Sequence, residues 1–127
     1  MKATTLKALN SSIKHWREMY KQSKTERPYA HPLDCALCGA FNPLFMPGSH
    51  LKSFDEAVAV GGCVGCPVQA KTGKPCCNGT PYWDFEDAPF DASLEEVRPL
   101  IKAELDFLIS LRPKPVKKKT SGRILEN

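Results

Sequence analysis

Cys35-Ala36-Leu37-Cys38 and Cys63-Val64-Gly65-Cys66 are two C-x-x-C pairs separated by 24 residues. On a tight turn such a pair presents two thiolates to one ion at about 2.3 Å while nearby backbone amides hydrogen-bond the sulfurs, and two pairs complete a tetrahedron. The separation is slightly longer than the usual ribbon spacing, and an intervening loop with a short helix can close it. Outward from the pairs the chain is punctuated by Pro28, Pro32, Gly39, Pro43, Pro47 and Gly48 on one side, and is rich in glycine and proline from Gly65 to Tyr82 on the other. Residues of that kind redirect the backbone and sustain no long element, so packing alone does not hold the stretch. A metal ion, with Cys35, Cys38, Cys63 and Cys66 as core ligands, is the expected clamp.

Six cysteines are present, and a structural zinc site uses four ligands. Cys76 and Cys77 are adjacent, so at most one of them is expected at the same ion. His31 and His50 lie near the pairs and leave a Cys₃His arrangement open; the simpler role for each is a loop histidine. Lys71, Lys74 or glycine amides are available to offset the charge of an all-thiolate site. The competing centre is a [4Fe–4S] cluster, since Cys66-Pro67 matches the Cys-Pro ending of ferredoxin runs, although the compact ferredoxin spacing is absent.

At 127 residues the chain is sized for one domain, and so small a domain gains from any crosslink. Hydrophobic residues at 42% and charged residues at 25% are ordinary for a folded protein. The sequence shows neither a signal-peptide apolar run nor a membrane span, which predicts a cytoplasmic protein. Thiols in that compartment stay reduced, so the even cysteine count favours metal over disulfides.

Leu6, Leu9, Ile13, Trp16 and Tyr20 recur at steps of three and four, predicting an amphipathic helix over residues 4–23, with Thr4 or Thr5 as its cap. Its other face carries Lys7, Lys14, Arg17, Lys21 and Lys24. Ser53-Phe54-Asp55-Glu56 is a capping box for a short helix to about Val60, ended by Gly61-Gly62. A second box, Ser93-Leu94-Glu95-Glu96, opens a helix over residues 93–111 with the stripe Leu94, Val97, Ile101, Leu105 and Leu108. Pro99 requires a kink there or a regular helix that begins at that residue. Residues 76–106 carry eight acids against two bases, so the terminal helices are expected side by side with complementary charge. The predicted fold is mainly α with irregular loops: a zinc-knuckle core over 31–83 between two amphipathic helices, in a single metal-stabilised domain over 1–111. Residues 112–127 read as a flexible basic tail.

Taken together, Cys35-Ala36-Leu37-Cys38, Cys63-Val64-Gly65-Cys66-Pro67-Val68, Thr72-Gly73 and Cys77-Asn78-Gly79-Thr80-Pro81-Tyr82 resemble a group of small cysteine-rich proteins of bacteriophages and prophages. That group shares a C-x-L-C, C-x-x-C-P, C-x-G-T-P-Y pattern after a Trp-containing helix. The likeness covers roughly residues 13–110. It implies a viral or mobile-element origin, a metal-held core, Cys77 as a fifth ligand candidate with Cys76 as an addition, and a structural role for Thr80-Pro81-Tyr82 and Trp83. It brings no established activity.

The expected function is a non-enzymatic zinc-binding module that presents its helices to a host or phage protein and modulates a host system. Nucleic acid is the other partner class, contacted through Lys114, Lys117, Lys118 and Lys119 of the tail. An iron–sulfur protein with a redox or structural role is the alternative. A metal-dependent enzyme is disfavoured because H-E-x-x-H and H-x-E elements, the Pro-Cys-x-x-Cys fragment of deaminases and phosphate loops are all missing.

Overall fold

The computed structural model describes residues 1–29, 35–74 and 77–113, with Phe54 described in its backbone only. His31, Cys76, Lys114, Lys117, Lys118 and Lys119 lie outside the described residues. Two long helices carry the fold. The first, α1 (Ala3–Gln22), buries Leu9, Ser12, Ile13, Trp16 and Met19 along one stripe. Lys7, Lys14, Arg17, Lys21 and Lys24 on its other face are exposed. Its start corrects the expected cap: Lys2 occupies the N-cap position without a side-chain bond, and Thr4 and Thr5 lie inside the first turn.

The last helix, α6 (Leu94–Ser110), opens on a complete capping box. Ser93 Oγ accepts the Glu96 N–H at 3.2 Å, and Glu96 Oε1 accepts the Ser93 N–H at 2.9 Å. The helix runs through Pro99, so its regular part does not begin there. Proline has no N–H, and the carbonyl four residues earlier, on Glu95, loses its helical donor. Val97, Ile101, Leu105 and Leu108 are buried as the stripe predicts, and Glu104 is buried with them.

Helices α1 and α6 pack against each other, and Leu9, Ile13, Trp16, Val97, Ile101, Leu105 and Leu108 belong to one core. The polar links between the two ends of the chain join arginine to neutral groups. Arg98 Nε donates to Ser23 Oγ at 3.1 Å, with its guanidinium 4.6 Å from the centre of the Tyr20 ring. Arg112 Nε donates to Asn10 Oδ1 at 2.9 Å. An acidic partner does appear at Lys102, but it is Asp106 at 2.8 Å, one turn along α6 itself.

Between the long helices the expected irregular stretches contain short helices: α2 (Ala36–Phe41), a 3₁₀ turn (Pro43–Phe45), α3 (Phe54–Ala59), α4 (Pro67–Thr72) and α5 (Pro81–Glu86). Pro67 and Pro81, which read as breakers, sit at the first helical positions of α4 and α5. Proline's fixed φ suits that position, and the N–H it lacks would have no helical partner there. Ser53 caps α3 by accepting the Glu56 N–H at 3.2 Å, but Glu56 Oε1 accepts the N–H of Lys52, at 2.8 Å, rather than that of Ser53. Helix α2 packs on α1 and α5 on α6. Trp16 joins these layers, meeting Phe85 edge-on at 5.4 Å and Tyr82 at 6.0 Å between ring centres. The architecture is mainly α; the described residues include no strand, and no helix among them is long and apolar enough to cross a membrane.

Candidate metal centre

Three turns carry the described cysteines to one place. Cys35 precedes α2 and Cys38 lies within it; Cys66 precedes α4; Cys77 enters the turn before α5. Cys63 and Cys66 are buried and the other three are half-buried, and none of the five is in a disulfide. All five line a single cavity of about 30 Å³ whose wall also includes Trp16, Asn42, Gln69, Tyr82 and Glu104. Its volume exceeds the roughly 10–15 Å³ needed for one water.

The turns are held by side chains that carry no motif. Ser12 Oγ on α1 stands 3.6 Å from Cys35 Sγ and accepts the Leu37 N–H at 3.4 Å, fixing the first pair to the helical core. Gln69 clamps the second pair: its Oε1 accepts the Cys63 N–H at 2.6 Å and its Nε2 donates to the Gly61 carbonyl at 3.0 Å. Within that pair the Cys66 N–H meets the Cys63 carbonyl at 2.9 Å. Gly65 between them has φ +93°, and a Cβ there would stand 3.2 Å from the Phe41 ring. Cys77 itself has φ 61°, in the left-handed region that disfavours side chains. Thr80 holds it, donating Oγ1–H to the Cys77 carbonyl at 2.7 Å.

The thiols feel one another. A hydrogen bond from the Cys38 thiol, with help from the backbone amides of Cys38 and Leu37, holds Cys35 below the ordinary thiol range despite its burial. The same bond keeps the proton on Cys38, whose own ionisation is pushed far up, with further opposition from Cys35, Cys77 and Cys63. Burial raises Cys66 to about 11, against the amides of Val68 and Gln69 that favour its thiolate. Burial also raises Cys77 strongly, with Cys35 and Glu104 adding to the effect. Four further thiolates beside Cys35 would be a prohibitive concentration of negative charge, and among the described residues no Lys, Arg or His lines the cavity to balance it.

Three polar atoms on the same wall have no hydrogen-bond partner among the described residues: Asn42 Nδ2, Tyr82 Oη and Glu104 Oε1. Asn42 is fully buried, its Oδ1 accepting the Leu44 N–H at 2.9 Å while the amide nitrogen is left over. Orphaned groups in a native interior call for an occupant. Asn42 and Tyr82 are donors suited to thiolate sulfur, and thiolates suit zinc or iron. Among the described residues no group of three or more Cys, His, Asp or Glu side chains is already drawn together tightly enough to hold an ion. The thiols share a chamber and have yet to converge on a point.

The remaining candidates fall elsewhere. His50, Lys71 and Lys74 are exposed and do not line the cavity. Tyr82 and Trp83, expected beside the cysteine loop, do line it. Ser12, Asn42, Gln69 and Glu104 were not anticipated as part of this site. Only Glu104 carried a signal: it falls three residues after Ile101 and four before Leu108, on the apolar stripe of α6. No family model matches the chain, and no curated protein or solved structure matches it.

Proposed function

We propose that this chain is a non-enzymatic metal-thiolate protein in which zinc, drawn into the chamber between α1, α2, α4 and the turn before α5, locks the cysteine-bearing half onto the helical half. The carrying observation is that Cys35, Cys38, Cys63, Cys66 and Cys77, from three separate turns, line one cavity with no cationic side chain among the described residues of its wall. A divalent cation offsets the charge of ionised thiols, and its binding free energy becomes folding free energy. The likeness to phage and prophage proteins supports a role as an interaction module inside a host cell, with a host or phage protein as partner. The exposed basic face of α1 and the lysines of residues 114–119 supply the alternative partner, nucleic acid.

The test is elemental analysis of anaerobically purified protein, paired with thiol titration before and after chelation. About one zinc per chain, with several thiols becoming reactive only after chelator is added, is the expected result. Metal-free protein whose six thiols react at once would overturn it. A [4Fe–4S] cluster is the second reading, favoured by the number of thiols that line one cavity, at least the four such a centre requires. Iron, acid-labile sulfide and a brown colour would select it.

A further inference from the structure

The wall of the cysteine chamber contains an acid that no cysteine motif explains. Glu104 is 3% exposed, in the middle of α6, on the stripe that packs against the core. Its Oε1 has no hydrogen-bond partner among the described residues. Unpaired acids in apolar surroundings are rare because desolvation costs several kcal/mol or forces the group to stay neutral. Here the neighbours are five thiols, each acidic in the same sense, and the described residues of the cavity wall include no Lys, Arg or His.

An acid in such a place keeps its proton unless a cation joins it, and the described residues of the wall offer none. Carboxylate oxygen is a regular zinc donor at about 2.0–2.2 Å, alongside thiolate sulfur at about 2.3 Å. We propose that Glu104 is a metal ligand, binding through Oε1, so that the centre is a mixed thiolate–carboxylate site rather than an all-cysteine knuckle. The inference rests on the metal-thiolate reading above and adds to it a donor from the helical half. It gives α6 a direct bond to the ion, while α1 touches the centre only through Ser12 and Trp16. Three thiolates and one carboxylate carry the same formal charge as four thiolates, so the exchange changes the softness of the donor set and leaves its charge as it was.

The experiment is X-ray absorption at the zinc edge on the full chain loaded with Zn²⁺ alone, for the wild type, Glu104→Gln and Glu104→Ala. The expected result is one oxygen scatterer at about 2.0–2.2 Å beside the sulfur shell in the wild type. Both variants should lose it, with at least about tenfold weaker Zn²⁺ binding, as loss of a metal-site partner typically causes. Glu104→Gln keeps the side-chain volume, so it reports on the ligand even if Glu104→Ala fails to fold. A wild-type spectrum of sulfur alone, or an oxygen shell that survives in Glu104→Gln, overturns the assignment and leaves the thiolate centre standing. A wild type that binds no Zn²⁺ overturns both.

Discussion

The two halves of this molecule are built on different physics. Helices α1 and α6 bury continuous apolar stripes, in which Leu9, Ile13, Val97 and Ile101 are fully enclosed. Residues 35–80 contribute few large apolar groups to the core, mainly Leu37 and Val68, and their helices are six residues long. Helices that short are marginal on their own. Their positions depend on single polar clamps such as Gln69 and Ser12. One half is stabilised by removing surface from water; the other, on the metal-thiolate proposal, is stabilised by what the cysteines hold.

Metal removal is the change expected to separate the halves most. Chelation, or the double substitution of Cys63 and Cys66 by Ser, should cost the cysteine-bearing half protection on the scale of structural zinc binding, of order 10 kcal/mol. Hydrogen exchange should show amides of α2 to α5 opening while α1 and α6 stay protected; simultaneous loss in all six helices would mean the halves fold as one unit. Truncating Ile13 to Ala attacks the other half. It should lower stability by about 2–5 kcal/mol in denaturant unfolding and leave the zinc content per folded chain unchanged. A fall in zinc content would tie the apolar core to the centre more closely than their separation suggests.

Smaller perturbations sharpen the boundary. Gly65→Ala forces a side chain into φ +93° and within 3.2 Å of Phe41. It should cost about 1–2 kcal/mol and weaken Zn²⁺ binding, since the turn it strains carries two of the thiols. Ser93→Ala removes the α6 cap and should cost about 1 kcal/mol, measured by thermal melting, with metal binding untouched. Lys102→Ala, which breaks the exposed pair with Asp106, should leave the unfolding midpoint where it is.

How much of this was legible follows the same division. The stripes of α1 and α6 and the Ser93 box are periodic signals, and the structure places the helices at Ala3–Gln22 and Leu94–Ser110, within a residue of the expected 4–23 and 93–111. The gathering of cysteines was legible because doubled C-x-x-C pairs imply convergence. Among the short helices α3 was legible from the Ser53 box, whereas α4 and α5 were not, because Pro67 and Pro81 punctuate a sequence in the same way whether they end a segment or begin one. Nor were Ser12, Asn42 and Gln69, whose roles arise from where tertiary packing puts a lone polar group. Glu104 stood in the acidic run expected to complement the basic face of α1, and its register on the stripe was outweighed by its charge.

The chamber wall reaches from Trp16 to Leu108, nearly the span of the described chain. During synthesis every thiol emerges well before Glu104 and Leu108, so a nascent chain passes through an interval in which its sulfurs are all present and the lid over them is not. Completion of the pocket must wait for α6 to dock. Cargo acquired earlier would sit on an open bowl exposed to exchange, and α6 would act as the latch.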